Sequence, residues 1–594
     1  MELLITDRLH KGCIIRGQSS RLLLMRRLSK KEIAFARKAM IRRYYLPSLN
    51  EYESAEFFKE FDKFWDQVIK PFGTDHPFWR NVVSSKMQEW EQSVAYLTLV
   101  LFTLAKKAQH QSCCVIIVCS SLEEEKVCEE WGKGLGWKIK KLPHAPLPFW
   151  LRLLFREIKN LARFVAMSLL CFYKKAYAPK YVMTPNGLGQ RILIASLLYS
   201  HSLSDGKYLD PFFGNIHDRL KEKGYRVTYV SDILDNFRAS ARKVKECRDV
   251  SIIIPYSLIP WIEFAVLLLR TFFRRYRLYQ ARFCNCDFSK IIRWRARSFD
   301  MFFNLHSEIY YAAISRLCRI DQFVRLIHLF EGNAMERACI QAFRKYCPCG
   351  EILGYNHTVL YPFNLKLRLT SQEKLHRPEP DKFVSAGSYS MELLQRLGNR
   401  NADKLRPGCS LKSIPRIADK RPEDAGGSKK VLVATGGTWS SAVMLDFLFE
   451  HVNFLSRKKV ILRGHPNVQI ESLLKSCVFQ KPDQFEISNS SLAEDLGSSF
   501  CVIYRQTSVG MQALLNGVPV IHLRIDSPLI SDTLFEYSGK GKWTAISPEE
   551  LETALKEAGD LSIEDRKMIR REASGFIEKY ITPPTDQGVL DFLQ

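Results

Sequence analysis

Three stretches decide the fold: Val431-Leu432-Val433-Ala434-Thr435-Gly436-Gly437-Thr438, Lys459-Val460-Ile461-Leu462-Arg463-Gly464-His465-Pro466, and Phe500-Cys501-Val502-Ile503-Tyr504-Arg505-Gln506-Thr507-Ser508. Each opens as a short, nearly continuous apolar run and closes in glycine or polar residues, and Pro519 to Leu523 repeats the pattern. Helical spacing over Met444 to Phe454 fills the gap after the first run. Short apolar strands alternating with helices predict a parallel α/β sheet. In such sheets ligands lie beyond the carboxyl ends of the strands, where backbone N–H groups at helix starts favour anions.

The residues at those ends suit a phosphorylated ligand. Gly436 and Gly437 permit close approach of backbone, while Thr438 offers a hydroxyl. Arg463 and His465 place two donors together, and Pro466 restricts the backbone after the histidine. Thr507 and Ser508 lie 42 and 43 positions after His465 and precede an apolar helix; they serve equally well as helix caps or as phosphate contacts.

A second unit of the same kind is read upstream. Ile192 to Leu198 is a strand-like run, Ser200 to Pro211 a polar loop, Phe213 to Lys223 helical, and Arg226 to Val230 the next strand. Asp205 and Asp210 in that loop are candidates for a general base, although Asp205 beside Gly206 is equally a turn residue. Glu331 follows the strand Leu326 to Phe330, and His357 follows Ile352 to Tyr355, so both project at strand ends. Glu336 and Arg337, within the next helix, read as a solvated surface pair.

Ser491 to Leu496, Arg505 to Leu515 and Gly517 to Ile521 resemble the donor-binding domain of GT-B glycosyltransferases. More narrowly, His465-Pro466 followed by Thr507-Ser508 resembles bacterial capsule, sialyl- and Kdo-type transferases that use CMP-activated sugars. The resemblance implies that His465, Pro466, Thr507 and Ser508 contact the nucleotide phosphate. Gln512 departs from the glutamate that binds ribose in many nucleotide-diphosphate-sugar enzymes, so the donor is not expected to be read in the common UDP-sugar way. Asp205 to Gly214, Leu329 to Arg337 and Gly354 to Thr358 resemble blocks of bacterial surface-carbohydrate (O-antigen) biosynthesis proteins, and the two resemblances together span about residues 75 to 540.

The expected fold is therefore α/β and GT-B-like: two Rossmann-like domains facing a cleft, with an N-terminal α/β extension. The extension covers 1–147, a basic amphipathic helical linker 148–178, the acceptor domain 179–405 and the nucleotide-sugar donor domain 428–594. Pro- and Gly-rich stretches at 143–148 and 406–427 mark boundaries. In the tail, Ser547, Pro548 and Glu550 predict a capped helix start, and by analogy with GT-B proteins the last helix crosses back to the first domain.

Net charge is +25 for 594 residues, unevenly placed. Residues 421–594 carry 19 Lys/Arg against 23 Asp/Glu, a balance of −4, which leaves +29 on residues 1–420. The positive field is densest over Pro148 to Lys175 and Arg270 to Arg297, where aromatic and aliphatic residues interleave with the basic ones. Such faces suit an anionic membrane surface or a packed helix with a solvated side. Nucleic acid is not expected as a partner, since no helix-turn-helix, RNP or zinc-finger pattern occurs. The 16 cysteines lack paired zinc spacing, so neither a metal nor a cofactor is expected. No apolar run is long enough to span a bilayer and the start lacks the form of a signal peptide, which predicts a cytoplasmic protein, peripheral on the inner face of the membrane.

The leading expectation is a metal-independent glycosyltransferase of O-antigen, capsule or lipopolysaccharide biosynthesis. It would move a sugar from a nucleotide-activated, CMP-linked donor to a glycan or lipid-linked acceptor. Its expected donor site comprises Gly436, Gly437, Thr438, Arg463, His465, Pro466, Arg505, Thr507, Ser508 and Gln512, with Asp205, Glu331 and His357 as catalytic candidates. A nucleotide-sugar epimerase, a polyol-phosphate transferase and a non-catalytic glycan-assembly protein are the alternatives.

Overall fold

The computed structural model describes residues 2–6, 20–24, 31–33, 42–43, 49–86, 93–107, 114–119, 121–141, 149–180, 189–278, 280–298, 301–361, 364–411, 430–437, 440–455, 458–465, 468–525 and 532–593. Thr438 and Pro466 lie outside them, as does the 412–429 connection.

Three parallel sheets organise the chain. The first comprises Glu2–Thr6 (β1), Ser20–Leu24 (β2), Arg42–Arg43 (β3), Cys114–Val118 (β4) and Lys138–Lys141 (β5), in the order β3-β2-β4-β1-β5. Two helices, Glu51–Ile69 and Val94–Lys107, share one core with residues 281–296. In it Phe57, Phe61 and Trp65 stack in turn, while Phe57 meets Phe283 edge-on and Phe64 meets Phe283 and Phe288 edge-on.

The second region contains Arg191–Leu198 (β6), a hairpin of Leu203–Ser204 (β7) and Lys207–Tyr208 (β8), Arg226–Ile233 (β9) and Ser251–Ile253 (β10). Another hairpin, Arg282–Phe283 (β11) and Cys286–Asp287 (β12), precedes Arg325–Leu329 (β13), Glu351–Asn356 (β14), Lys382–Ser385 (β15) and Leu405–Pro407 (β16). The main sheet runs β10-β9-β6-β13-β14-β15-β16. Numbered by first appearance that is 3-2-1-4-5-6-7, a doubly wound sheet whose order reverses between β6 and β13.

The third sheet contains Lys430–Ala434 (β17), Lys459–Arg463 (β18), Phe485–Ile487 (β19), Cys501–Tyr504 (β20), Val520–Leu523 (β21) and Lys542–Ala545 (β22). Its order β19-β18-β17-β20-β21-β22 is again 3-2-1-4-5-6, reversing between β17 and β20. The chain thus holds two Rossmann-like domains, each with strands buried on both faces, as their unbroken apolar runs require.

The tail stitches the domains together. Helix Ile563–Tyr580 packs on Ser388–Arg396 of the second sheet's domain. There Leu360 N–H donates to the Tyr580 hydroxyl at 2.6 Å and the Ser390 hydroxyl donates to the Tyr580 carbonyl at 3.0 Å. Helix Asp586–Leu590 follows, and Phe592 is fully buried against Tyr355, its carbonyl accepting from Arg325 Nη1 at 2.7 Å. The preceding tail helix starts as read, with the Ser547 hydroxyl accepting from Glu550 N–H at 3.2 Å. The Glu550 carboxylate, however, takes the N–H of Ile546.

Two expectations about charge are corrected. Glu336 and Arg337 are buried, not solvated: three successive backbone N–H groups converge on the Glu336 carboxylate, and Arg337 donates to the Ser84 hydroxyl and the Gly332 carbonyl. The Arg270 to Arg297 stretch also turns partly inward. Arg295 is buried in an ion pair with Glu124, and Arg274 pairs with Glu308, because the hairpin at 282–287 folds this segment onto the N-terminal helices.

Candidate functional site

In the third sheet, loops after β17, β18 and β20 meet at the reversal point. Thr435 ties the first two: its N–H and hydroxyl both donate to the Arg463 carbonyl, at 3.0 and 3.1 Å, and its hydroxyl accepts from His465 N–H at 3.2 Å. A Cβ on Gly436 would lie 3.1 Å from the Gln506 carbonyl oxygen, and one on Gly437 3.2 Å from the His465 ring. A side chain at either position would press on these neighbours by a few tenths of an ångström. Half-buried His465 has its pKa lowered by burial, so the neutral ring keeps one N–H and one acceptor at pH 7.

The turn after β20 is tight. Gln506 adopts φ +51, a left-handed conformation costing a non-glycine residue about 1–2 kcal/mol. Nothing in the sequence around Gln506 signalled this. Thr507 is nearly buried and its hydroxyl lies 3.4 Å from Val509 N–H; Ser508 occupies the N-cap position of Val509–Leu515 without a side-chain cap. Gly510 lies against the ring of buried Tyr504, whose hydroxyl donates to Asp532 at 2.5 Å. Arg505 is buried and Gln512 half-buried, one turn into that helix. Arg463 differs from expectation: its Nη1 donates to Asp495 at 2.6 Å and to the Ser490 carbonyl at 2.9 Å, fastening the loop before Leu492–Gly497.

In the second sheet the reversal point gathers different groups. Glu331 follows β13 and His357 follows β14, with Nε2 of the imidazole 3.5 Å from Oε1 of the carboxylate. Asn333 Nδ2 donates to the other oxygen at 3.3 Å. Burial alone would raise the Glu331 pKa; the charges of His357 and Lys366 and the Asn333 amide outweigh it and hold the carboxyl below its ordinary range. Tyr199, just after β6, has its pKa raised by burial and then by the charges of Asp235 and Glu331. Phe212 sets its ring edge-on to His357 at 4.8 Å. Behind them, Glu336 is pushed up to about 7 by burial and by the Glu331 charge. Gly332, at φ +82, turns the chain where a Cβ would strike the Lys366 carbonyl at 2.6 Å.

Sequence reading found Glu331 and His357 but not Tyr199, Asn333 or Lys366. Tyr199 ends a strand run and was legible in principle; Lys366 arrives from a loop with no local signal. The two aspartates are placed elsewhere. Asp205, at φ +51, and Gly206, at φ +72, are the central pair of the β7–β8 hairpin turn, and Asp205 is exposed. The Gly206 carbonyl accepts from Arg248 N–H, beyond the far end of helix Phe237–Glu246, so the tip hangs away from the carboxyl ends of the strands. Asp210 is buried and accepts from Tyr208 and from the N–H groups of Phe212 and Phe213, which positions Phe212 rather than a proton.

Both clusters adjoin the domain junction. Leu360, which bonds Tyr580, is three residues past His357, within about 11 Å of extended chain. The Thr507 carbonyl accepts from Thr533, and Glu536 nearby pairs with Tyr389 and Arg396 of the other domain.

No family profile matches this chain, and no curated protein matches it. Among solved structures it is similar to the glycotransferase of kitacinnamycin at 14% identity and TM-score 0.37, over 66% of this chain and 99% of that one. It is also similar to a putative UDP-N-acetylglucosamine 2-epimerase from Listeria monocytogenes at 10% identity and TM-score 0.39, covering 68% and 95%. For the glycosyltransferase SnogD from Streptomyces nogalater the values are 14% and 0.36, covering 68% and 99%. The two reversed strand orders and the returning tail helix define the fold.

Proposed function

We propose that this chain is a glycosyltransferase that takes a sugar from a nucleotide-activated donor held by the third sheet and passes it to an acceptor held by the second. One observation carries the reading: both doubly wound sheets reverse their strand order where a candidate cluster lies, the place where such sheets bind ligands. The donor's phosphate would meet the His465 ring and the backbone N–H groups of the loops at Gly437 and at Gln506 to Ser508. These donors are fixed before charge develops, the condition under which electrostatic stabilisation contributes most. The acceptor oxygen would attack the anomeric carbon, the bond from that carbon to the phosphate oxygen would break, and the acceptor proton would pass to Glu331. The carboxylate is in its base form at neutral pH, held there by the charges of His357 and Lys366 and by the Asn333 amide, and so is open to a proton brought within hydrogen-bond reach.

The finer reading keeps a CMP-linked acid sugar as donor, since Gln512 offers ribose a hydrogen bond without a charge. The product belongs to a bacterial surface polysaccharide, built on a lipid-linked, phosphate-bearing acceptor at the inner face of the membrane. A thermal-shift screen against CMP, CDP, UDP and GDP tests the donor side, because a ligand of the native state alone raises the midpoint. A rise with CMP alone supports the reading; a rise with UDP alone removes the CMP assignment; no rise with any of the four, together with no transfer, removes the transferase.

A further inference from the structure

The helix Phe149–Tyr177 is packed the opposite way round from a helix solvated by water. Lys174 and Lys175 are only 8% exposed. Lys174 Nζ lies 2.9 Å from Asp232 Oδ2, which also pairs with His306 Nε2 at 2.8 Å, and Lys175 donates to the Tyr256 carbonyl at 3.1 Å. Outward instead face Ile158, Leu161, Val165, Leu169 and Tyr173, a stripe with three- and four-residue steps; Leu169 is 63% exposed. Along 154–177 the only exposed charged residues are Lys159 and Arg163, both basic.

Helix Trp261–Phe273 lies antiparallel beside it, with Phe172 against Trp261 and Phe264, and Phe164 stacked on Phe272 at 4.4 Å. It exposes Ile262, Val266, Leu269 and Phe273 at the same kind of spacing, with Ile262 81% exposed, and Arg270, Arg275 and Arg277 stand exposed at its end. Its one exposed acid, Glu263, faces Arg316 at 3.6 Å. Buried lysines fix the first helix in register, so the outward apolar face is a set feature of the fold and not one choice among rotations. No helix among the described residues is long and apolar enough to cross a membrane.

We infer that these two helices form a platform that lies in the interface of an anionic lipid bilayer, apolar stripes toward the acyl chains and arginines at headgroup level. The basic rim and the excess of +29 on residues 1–420 complement that surface. The inference deepens the membrane-bound acceptor of the functional reading and rests on that reading only for the acceptor's location, since it uses none of the catalytic candidates.

The test is sedimentation of the full chain with vesicles of phosphatidylcholine alone and with about 30% phosphatidylglycerol added, without nucleotide. The chain should partition onto the anionic vesicles and lose binding as salt rises. Leu169→Glu with Ile262→Glu should cut partitioning at least tenfold with an unchanged melting midpoint, and Arg163→Gln with Arg270→Gln should flatten the salt dependence. Three results would overturn the inference: no partitioning of the wild-type chain onto anionic vesicles, partitioning of the double-Glu variant like wild type, or double-Glu substitution that only converts a dimer to a monomer in light scattering. Because vesicle binding is read without turnover, a failed transferase assignment would leave these outcomes unaffected.

Discussion

The two reversal points are built from opposite materials. At the third sheet the groups are glycine backbone, hydroxyls and a histidine kept neutral by burial, in a domain whose balance is −4. At the second sheet they are an ionised carboxylate with imidazole, ammonium and phenol around it. One repeated topology has been fitted once with fixed dipoles and once with titratable charge. The first arrangement suits holding a ligand that brings its own charge; the second suits moving a proton.

The sharpest way to break this contrast is Glu331→Gln. Loss of a general base should lower kcat by about 10²–10⁴-fold, with nucleotide-induced thermal shifts unchanged; equal loss of both would erase the division of labour. Since the Glu331 pKa lies below its ordinary range, the carboxylate is already the base form at neutral pH. The acid limb of kcat/KM should therefore fall at a pH below the usual glutamate range. His465→Ala should act on the other side, lowering turnover by about 10²-fold, as removal of a fixed donor does, together with the nucleotide shift. Gly437→Val should weaken nucleotide binding by about tenfold, roughly 1.4 kcal/mol, through displacement of the His465 ring, without moving the Glu331 pH profile.

Smaller effects test what lies behind the charged cluster. Glu336 has a folded pKa of about 7 against an unfolded 4.5. The folded chain therefore binds the extra proton between those values, and its contribution to stability is full below about 4.5 and lost as pH rises to about 7. Glu336→Gln should remove that slope from melting curves. Tyr580→Phe, which removes one hydroxyl from the domain junction, should cost about 1 kcal/mol, read as a lower melting midpoint.

Legibility in the sequence followed the same contrast. The third sheet was readable because its strands are unbroken apolar runs ending in Gly436, Gly464 and Thr507, and the candidate site residues sit beside those ends. The charged cluster was half readable: Glu331 and His357 are adjacent to strands, whereas Lys366, whose charge helps lower the Glu331 pKa, lies on a remote loop. Asp205 misled because an Asp-Gly pair in a polar loop looks the same whether it faces a cleft or turns a hairpin; only the pairing of Leu203 with Tyr208 distinguishes them. Glu336 and Arg337 misled because helical periodicity does not reveal that Ser84 and Gly332 cover that face. Arg463 was read for its charge, and its partner Asp495 lies 32 positions away.

The seating of Phe592 against Tyr355 also bears on how the protein is made. Arg325 and Phe592 are separated by 267 positions, so a growing chain emerges from the ribosome with the second sheet's domain still missing a piece of its core. The third sheet's domain completes its sheet at Ala545, before that piece is synthesised. Synthesis order and completion order are therefore reversed for the two halves, and the earlier half waits on the later one.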